Sequence, residues 1–258
     1  MKRFALVMTD NILYKNKFVN DLVTENKDSI KLIIELNFRH PSSNKKKHLQ
    51  RYLQLLGIKG LIFVIILQLK TYFQQVILSN FNSNGYTLKQ IAKINNIKYV
   101  KIDNINSEES IHLLKQAKID YLINSGNQIY KGRILDEYHN KILNRHTSLL
   151  PSYGGIYPIF WQLLNGDKEG GVTLHWVTEK IDKGNPAYQK SLEVTADKSL
   201  FELYKEAFTI SLELCNQAIN DLNNNEEKKL TSNKLTSYYS WPTKADIKNF
   251  KSNGLKIV

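Results

Sequence analysis

Short apolar runs alternate with amphipathic stretches along most of the chain. Phe4 to Met8 and Ile30 to Leu36 read as buried strands, and the mixed stretch from Lys15 to Asn26 between them suits a helix. From Thr87 the alternation becomes regular, with a helix to Asn95, a strand from Lys98 to Ile102, a helix from Glu108 to Ala117 and a strand from Tyr121 to Ile123. Further strands are expected at Lys141 to Leu143, Gly171 to Val177 and Ala187 to Val194, and helices at Pro158 to Leu164 and Leu200 to Leu222. Strands interleaved with helices predict an α/β fold, a mostly parallel twisted sheet flanked by helices.

One region breaks the rhythm. Residues His40 to Lys47 (HPSSNKKK) read as an exposed basic loop, and Leu49 to Leu78 as largely helical with apolar residues on more than one side. A helical insertion over 39–80, buried in the core, is the favoured expectation. The alternative is a helix lying on a membrane surface beside its basic flank, a peripheral contact. Its longest apolar run, Leu61 to Leu67, is far short of the ~20 residues that span a bilayer, so no transmembrane segment is expected. Asn223 to Lys229 is the clearest linker. The domain reading is one catalytic domain over 1–222 and a short C-terminal extension over 223–258, whose aromatic Tyr238, Tyr239 and Trp241 suit a docking element or a homodimer contact.

Charge and cysteine content narrow the setting. Lys and Arg number 36 against 24 acidic residues, a net +12 that favours phosphorylated partners. The lone Cys215 excludes an intrachain disulfide and a two-cysteine metal site, and no metal is expected; a cytoplasmic location fits best. The turn after the first strand reads TDNILYKN, without the Gly-x-Gly-x-x-Gly of a dinucleotide site, so nicotinamide and flavin chemistry is disfavoured.

Ligands of open α/β sheets gather where loops leave the carboxyl ends of strands. The two richest exits here are Ser125 to Gln128 and Asn144 to Gly155. In NRHTSLLPSYGG, Asn144 and His146 stand two residues apart at a strand end, so both side chains share one side. An amide beside a titratable ring can stabilise an oxyanion while the ring handles protons. Further on, GVTLHWVTEKIDKG brings His175 on a strand and Asp182 in a turn closed by Gly184.

With NRHTSLLP, GVTLH and DKG in that order, the chain resembles the folate-dependent formyltransferases, which act on glycinamide ribonucleotide, methionyl-tRNA or sugar nucleotides. The resemblance is clear from about Tyr121 to Gln189 and implies a Rossmann-like formyltransferase fold. It implies 10-formyltetrahydrofolate as co-substrate, held by the backbone of Ser125, Gly126, Asn127, Gln128 and Ile129 and by the turn of Asp182 and Gly184. It also implies a catalytic set of Asn144, His146 and Asp182: the amide and a protonated imidazole stabilise the tetrahedral oxyanion, while the carboxylate supports His146 and water-assisted proton transfer. Ser148, Leu149, Tyr153 and His175 are the residues expected around the acceptor, His175 in a supporting position.

The chain departs from the family where Gly154-Gly155 replaces an aromatic residue and Arg-Gly, and where Arg145 and Thr147 replace apolar or small residues. The stretch after Leu222 is short for the barrel that methionyl-tRNA formyltransferases add, so tRNA is the less expected acceptor. A small phosphorylated amine, an amino sugar on a nucleotide, leads, with glycinamide ribonucleotide and methionyl-tRNA as alternatives. A reading from another class is an inactive basic module that binds nucleic acid or membrane.

Overall fold

The computed structural model describes residues 1–9, 15–37, 45–73 and 87–258. Its main sheet has seven strands in the order β3-β2-β1-β4-β5-β7-β8. They are β1 (Phe4–Thr9), β2 (Ile30–Leu36), β3 (Lys98–Ile102), β4 (Tyr121–Ser125), β5 (Ile142–His146), β7 (Glu169–Trp176) and β8 (Pro186–Glu193). The first five are parallel, and β7 pairs antiparallel with β5 on one side and β8 on the other, which fulfils the mostly parallel expectation. A small second sheet pairs β6 (Gly154–Gly155) with β9 (Tyr238–Tyr239).

The pleat of β1 sorts its side chains between two cores. Phe4, Leu6 and Met8 join one layer with α1 (Lys15–Glu25), α3 (Leu88–Ile94), α6 (Pro158–Asn165), α7 (Leu200–Asn223) and α8 (Lys244–Ser252). Ala5 and Val7 join the other, under α4 (Glu108–Gln116) and α5 (Arg133–Glu137). Burial on both faces explains why the central strands read as unbroken apolar runs. Helix starts follow local chemistry: Thr87, Ser199 and Thr243 each form a capping box with the residue three positions on, satisfying amides that the helix leaves unpaired.

The extension is part of the same core. Phe250 of α8 is fully buried and stacks on Phe160 of α6, with ring centroids 4.5 Å apart. The expected linker is also tied down: Trp176 Nε1 donates to Lys228 O, and Leu230 N–H to Pro186 O.

The inserted helix corrects the expectation that it is buried. Helix α2 (Lys45–Phe73) bends at Gly57, whose φ of 65° and ψ of −176° lie outside the helical region and suit only glycine. Beyond the bend it is not buried: Ile58, Ile62, Ile65, Ile66, Leu69 and Phe73 are exposed. Within the segment Gln50–Lys70, an 18-residue window has a mean hydropathy of 1.9 and is only 11% buried, so by length and composition it is apolar enough to cross a membrane. Counting unbroken apolar residues missed this, because scattered Gln54, Lys59 and Gln68 interrupt the run without lowering its average far. Part of the expected basic loop, 40–44, and the end of the expected helix, 74–78, lie outside the described residues.

Candidate active site

Strand order places the site. The chain runs outward from β1 to β2 and β3, then returns to the other side with β4 and β5, and ligands of such sheets sit at the carboxyl ends where the order reverses. Thr9 of β1, Asn124 and Ser125 of β4, and Asn144 and His146 of β5 all lie at those ends. Thr9 Oγ1 donates to Asn127 Oδ1 at 3.0 Å and accepts from Asn127 N–H, joining the β4 exit loop to β1.

Cross-strand register fixes the amide of Asn144. Asn124 pairs with Asn144 across β4 and β5, and Asn144 with His175 across β5 and β7. The Gly126 N–H can only donate, so Asn124 Oδ1 accepts from it, and from the Tyr130 hydroxyl, each at 3.2 Å. Asn124 Nδ2 therefore donates to Asn144 Oδ1 (2.7 Å), and Asn144 Nδ2 donates to His175 Nε2 (3.0 Å). His175 then carries its proton on Nδ1, which donates to Trp176 O at 3.2 Å. Among the described residues no acceptor takes the second N–H of Asn144, which is left for a ligand.

His146 is buried beside its carboxylate. Its Nε2 faces the Tyr153 carbonyl at 2.8 Å and must donate there, so a second proton would sit on Nδ1, 3.7 Å from Asp182 Oδ1. Burial, helped by His175 and Arg145, lowers the affinity of His146 for that proton below the usual histidine range, although Asp182 and the Tyr153 carbonyl pull the other way. Burial would raise the Asp182 pKa. The two histidines and the Gly155 N–H, which donates to Oδ2 at 2.8 Å, outweigh it and hold the carboxyl below its ordinary value.

The Gly154-Gly155 departure has a structural use. Gly155 has a φ of 99°, and a Cβ there would stand 2.0 Å from Tyr239 O. The glycine pair lets β9 of the extension run against β6, which aims the Gly155 N–H at Asp182. Asp182 itself has a φ of 52°, and Gly184 packs so tightly that a Cβ would stand 1.5 Å from Trp176 O.

Two cavities meet at this centre. One, of about 260 Å³, is lined by Gly126, Asn127, Gln128, Ile129, Asn144 and Asp182, with His146, His175 and Gly155 among its walls. The other, of about 400 Å³, holds Thr9, Ser125, Thr147 and three tyrosines, Tyr52, Tyr157 and Tyr204. They share Gly126, Asn127, Arg145, His146 and Gly155.

The expected site residues divide accordingly. Asn144, His146, Asp182 and His175 converge, and Gly126 to Ile129 line one cavity while Ser125 lines the other. Gly184 supports the turn rather than a wall. Ser148, Leu149 and Tyr153 do not line either cavity. The Ser148 hydroxyl closes its own turn on Ser152 O, Leu149 packs against Gly171, and the Tyr153 ring stacks on Tyr239 at 5.1 Å. Arg145 points away, its Nε donating to Ser211 and its guanidinium 3.8 Å from the Phe208 ring centre, with burial pushing its pKa down to about 10. Reading the sequence missed Asn124, Tyr130, Tyr52 and Tyr204, since no local motif marks them.

The chain matches the model of the formyl transferase family over residues 75–219. It is 39% identical over 119 residues to the methionyl-tRNA formyltransferase of Finegoldia magna, covering 46% of this chain and 38% of that protein. It is 36% identical over 121 residues to the bifunctional polymyxin resistance protein ArnA of Wigglesworthia glossinidia brevipalpis, covering 45% and 18%. The chain thus spans well under two thirds of the length of these relatives. In fold it is similar to an N-formyltransferase from Helicobacter canadensis in complex with folinic acid and dTDP-3-aminofucose, with a TM-score of 0.61, 19% identity and coverage of 100% and 84%. It is equally similar to a phosphoribosylglycinamide formyltransferase from Anaplasma phagocytophilum, with a TM-score of 0.61, 16% identity and coverage of 92% and 98%.

Proposed function

We propose that this chain, which belongs to the formyl transferase family, moves a formyl group from 10-formyltetrahydrofolate to a primary amine, with an amino sugar on a nucleotide as the acceptor. The observation that carries the reading is the meeting of two cavities at His146, with the Asn144 amide and the Asp182 carboxylate alongside. A transfer between two bound substrates needs such a wall, approached from both sides.

In this reading the pterin lies in the cavity of Gly126 to Ile129 and the amine enters past the tyrosines. The amine nitrogen attacks the formyl carbon, and the free N–H of Asn144 stabilises the oxyanion, worth about 3 kcal/mol for a well-aimed donor. The neutral His146 takes up the proton that the attacking nitrogen sheds. Asp182 stabilises the resulting imidazolium. Collapse of the tetrahedral adduct breaks the bond from carbon to the carrier nitrogen, which leaves with the proton returned by His146, and the product is a formamide. The cavity of about 400 Å³ and the net charge of +12 support a small phosphorylated acceptor. A second acceptor, methionyl-tRNA, is favoured by the identity to the Finegoldia magna relative. A reducing, cytoplasmic setting suits the single, buried Cys215.

The test is incubation with 10-formyltetrahydrofolate and a panel of amino-sugar nucleotides, glycinamide ribonucleotide and charged initiator tRNA, with product read by mass spectrometry. Formylation of an amino-sugar nucleotide that vanishes in Asn144→Ala is the expected result. Formylation of tRNA alone would replace the acceptor, and no product with any acceptor would overturn the reaction.

A further inference from the structure

The part of α2 beyond Gly57 has apolar residues on two sides, and among the described residues only one of these sides has a partner. Phe63 meets the ring of Phe201 edge-on at 5.3 Å, and Phe63 and Leu67 line a groove with Phe18, Phe208 and Leu212. On the other side Ile58, Ile62, Ile65, Ile66, Leu69 and Phe73 recur every three or four residues, which stacks them along one face. That face is open to solvent: Ile58 is 79% exposed, Ile66 60% and Leu69 61%. A continuous apolar ridge of this kind on a folded chain marks a contact surface.

Charge says what the contact is. Helix α2 contains no acidic residue, while its sequence holds Lys45, Lys46, Lys47, Arg51, Lys59 and Lys70. Beside it, Lys244, Lys248 and Lys251 of α8 share a hollow with Gln54. Asp21, Asp197 and Glu202 line the groove on the protein side of the helix. Two of these three are committed: Asp21 pairs with Lys17, and Glu202 caps α7. An apolar ridge whose helix segment carries Lys59 and Lys70 and no acidic residue matches a bilayer surface bearing anionic headgroups.

Topology excludes a membrane span. Strands β2 and β3, on either side of α2 in the chain, are hydrogen-bonded neighbours, so both ends of the helix stay on the same side of any membrane. After Phe73 too little chain remains before α3 for a returning helix of ~20 residues, and no other open backbone crosses lipid. On a bilayer, the helix would therefore lie flat.

We propose that α2 is a membrane-docking helix that seats the protein on an anionic bilayer through the ridge from Ile58 to Phe73. Tyr52, on the segment before the bend, lines the larger catalytic cavity, so docking brings that cavity close to the bilayer. The inference stands on α2 and its charges and does not rest on formyl transfer.

Co-sedimentation of the whole chain with vesicles of phosphatidylcholine alone, or mixed with phosphatidylglycerol, tests it. Binding to the mixed vesicles that weakens with salt is expected. The exposed double variant Ile62→Asn with Ile66→Asn should lower the partition coefficient by about 100-fold, since each buried isoleucine is worth at least a tenfold change. Circular dichroism and the thermal midpoint establish that the variant is folded. Lys59→Glu with Lys70→Glu should weaken binding to the mixed vesicles alone. No binding by the folded wild type would overturn the proposal, and so would binding that the Asn pair leaves unchanged. A dimer in light scattering that ignores vesicles and that the Asn pair dissolves would overturn it in favour of a second copy on this face.

Discussion

Replacing Asp182 by Asn isolates the electrostatic contribution of the carboxylate from its structural one. Asn retains an oxygen able to accept the Gly155 N–H that Asp182 holds at 2.8 Å, so the β6–β9 contact should survive. What disappears is a negative charge 3.7 Å from His146 Nδ1, in a place where the two side chains are 8% and 9% exposed. Opposite unit charges about 4 Å apart attract by about 1 kcal/mol in water and about 4 kcal/mol at an effective dielectric near 20. A site this enclosed lies toward the second value. Allowing for the charge–dipole contact that Asn keeps, the imidazolium formed in the transition state should lose about 2–3 kcal/mol, a fall in kcat of roughly 30-fold to 150-fold. The sign of the pH effect is separate. Burial already lowers the His146 pKa and Asp182 opposes that, so kcat/KM should drop at acid pH as the free-enzyme imidazole becomes protonated. In Asp182→Asn that acid limb should move to still lower pH while the plateau falls. Initial rates across pH with 10-formyltetrahydrofolate and the identified acceptor measure both. A plateau within about threefold of wild type, or an acid limb that stays in place, would refute the electrostatic account.

Four further outcomes follow from the same geometry. Gly155→Ala puts a methyl group 2.0 Å from Tyr239 O at a φ of 99°, and should cost about 2–3 kcal/mol, seen as a lower thermal midpoint. His175→Phe removes the acceptor that orients the Asn144 amide; kcat should fall about tenfold or more with KM little changed, and His175→Gln should recover part of the loss. Phe250→Ala, though in the extension, should lower the urea midpoint by about 3–5 kcal/mol of stability, because the ring is fully buried against Phe160. Stability should also decline on acidification. The unfolded chain takes up a proton at His146 below the ordinary value of 6.5 before the folded one does. Near and below 3.8 the lowered Asp182 adds to the loss, so thermal midpoints at descending pH should fall in two stages.

Much of the fold was legible because its signals are local. The apolar runs at Phe4 to Met8, Ile30 to Leu36 and Lys98 to Ile102 are strands within a residue of the expected bounds, and Thr87 and Ser199 start helices where their hydroxyls reach the first turn. The two-residue spacing of Asn144 and His146 at a strand end put both on one side of β5, as the pleat requires. Other elements carried weak signals. Two-residue strands such as β6 and β9 have no periodicity, and they exist only because Gly155 lets the tail approach.

The sequence by itself singled out the candidate residues and the face of each strand they occupy, since both depend on neighbours along the chain. Only the tertiary structure decided their partners. The line from Asn124 through Asn144 to His175 depends on register between three strands that lie far apart in sequence, and no local pattern encodes register. The depressed proton affinity of His146 comes from burial, which is a property of the assembled site. Helix α2 shows the same division most plainly: its composition announced an apolar helix, but whether that helix turned inward or outward depended on what packed against it. One side found α7, and the other was left facing out.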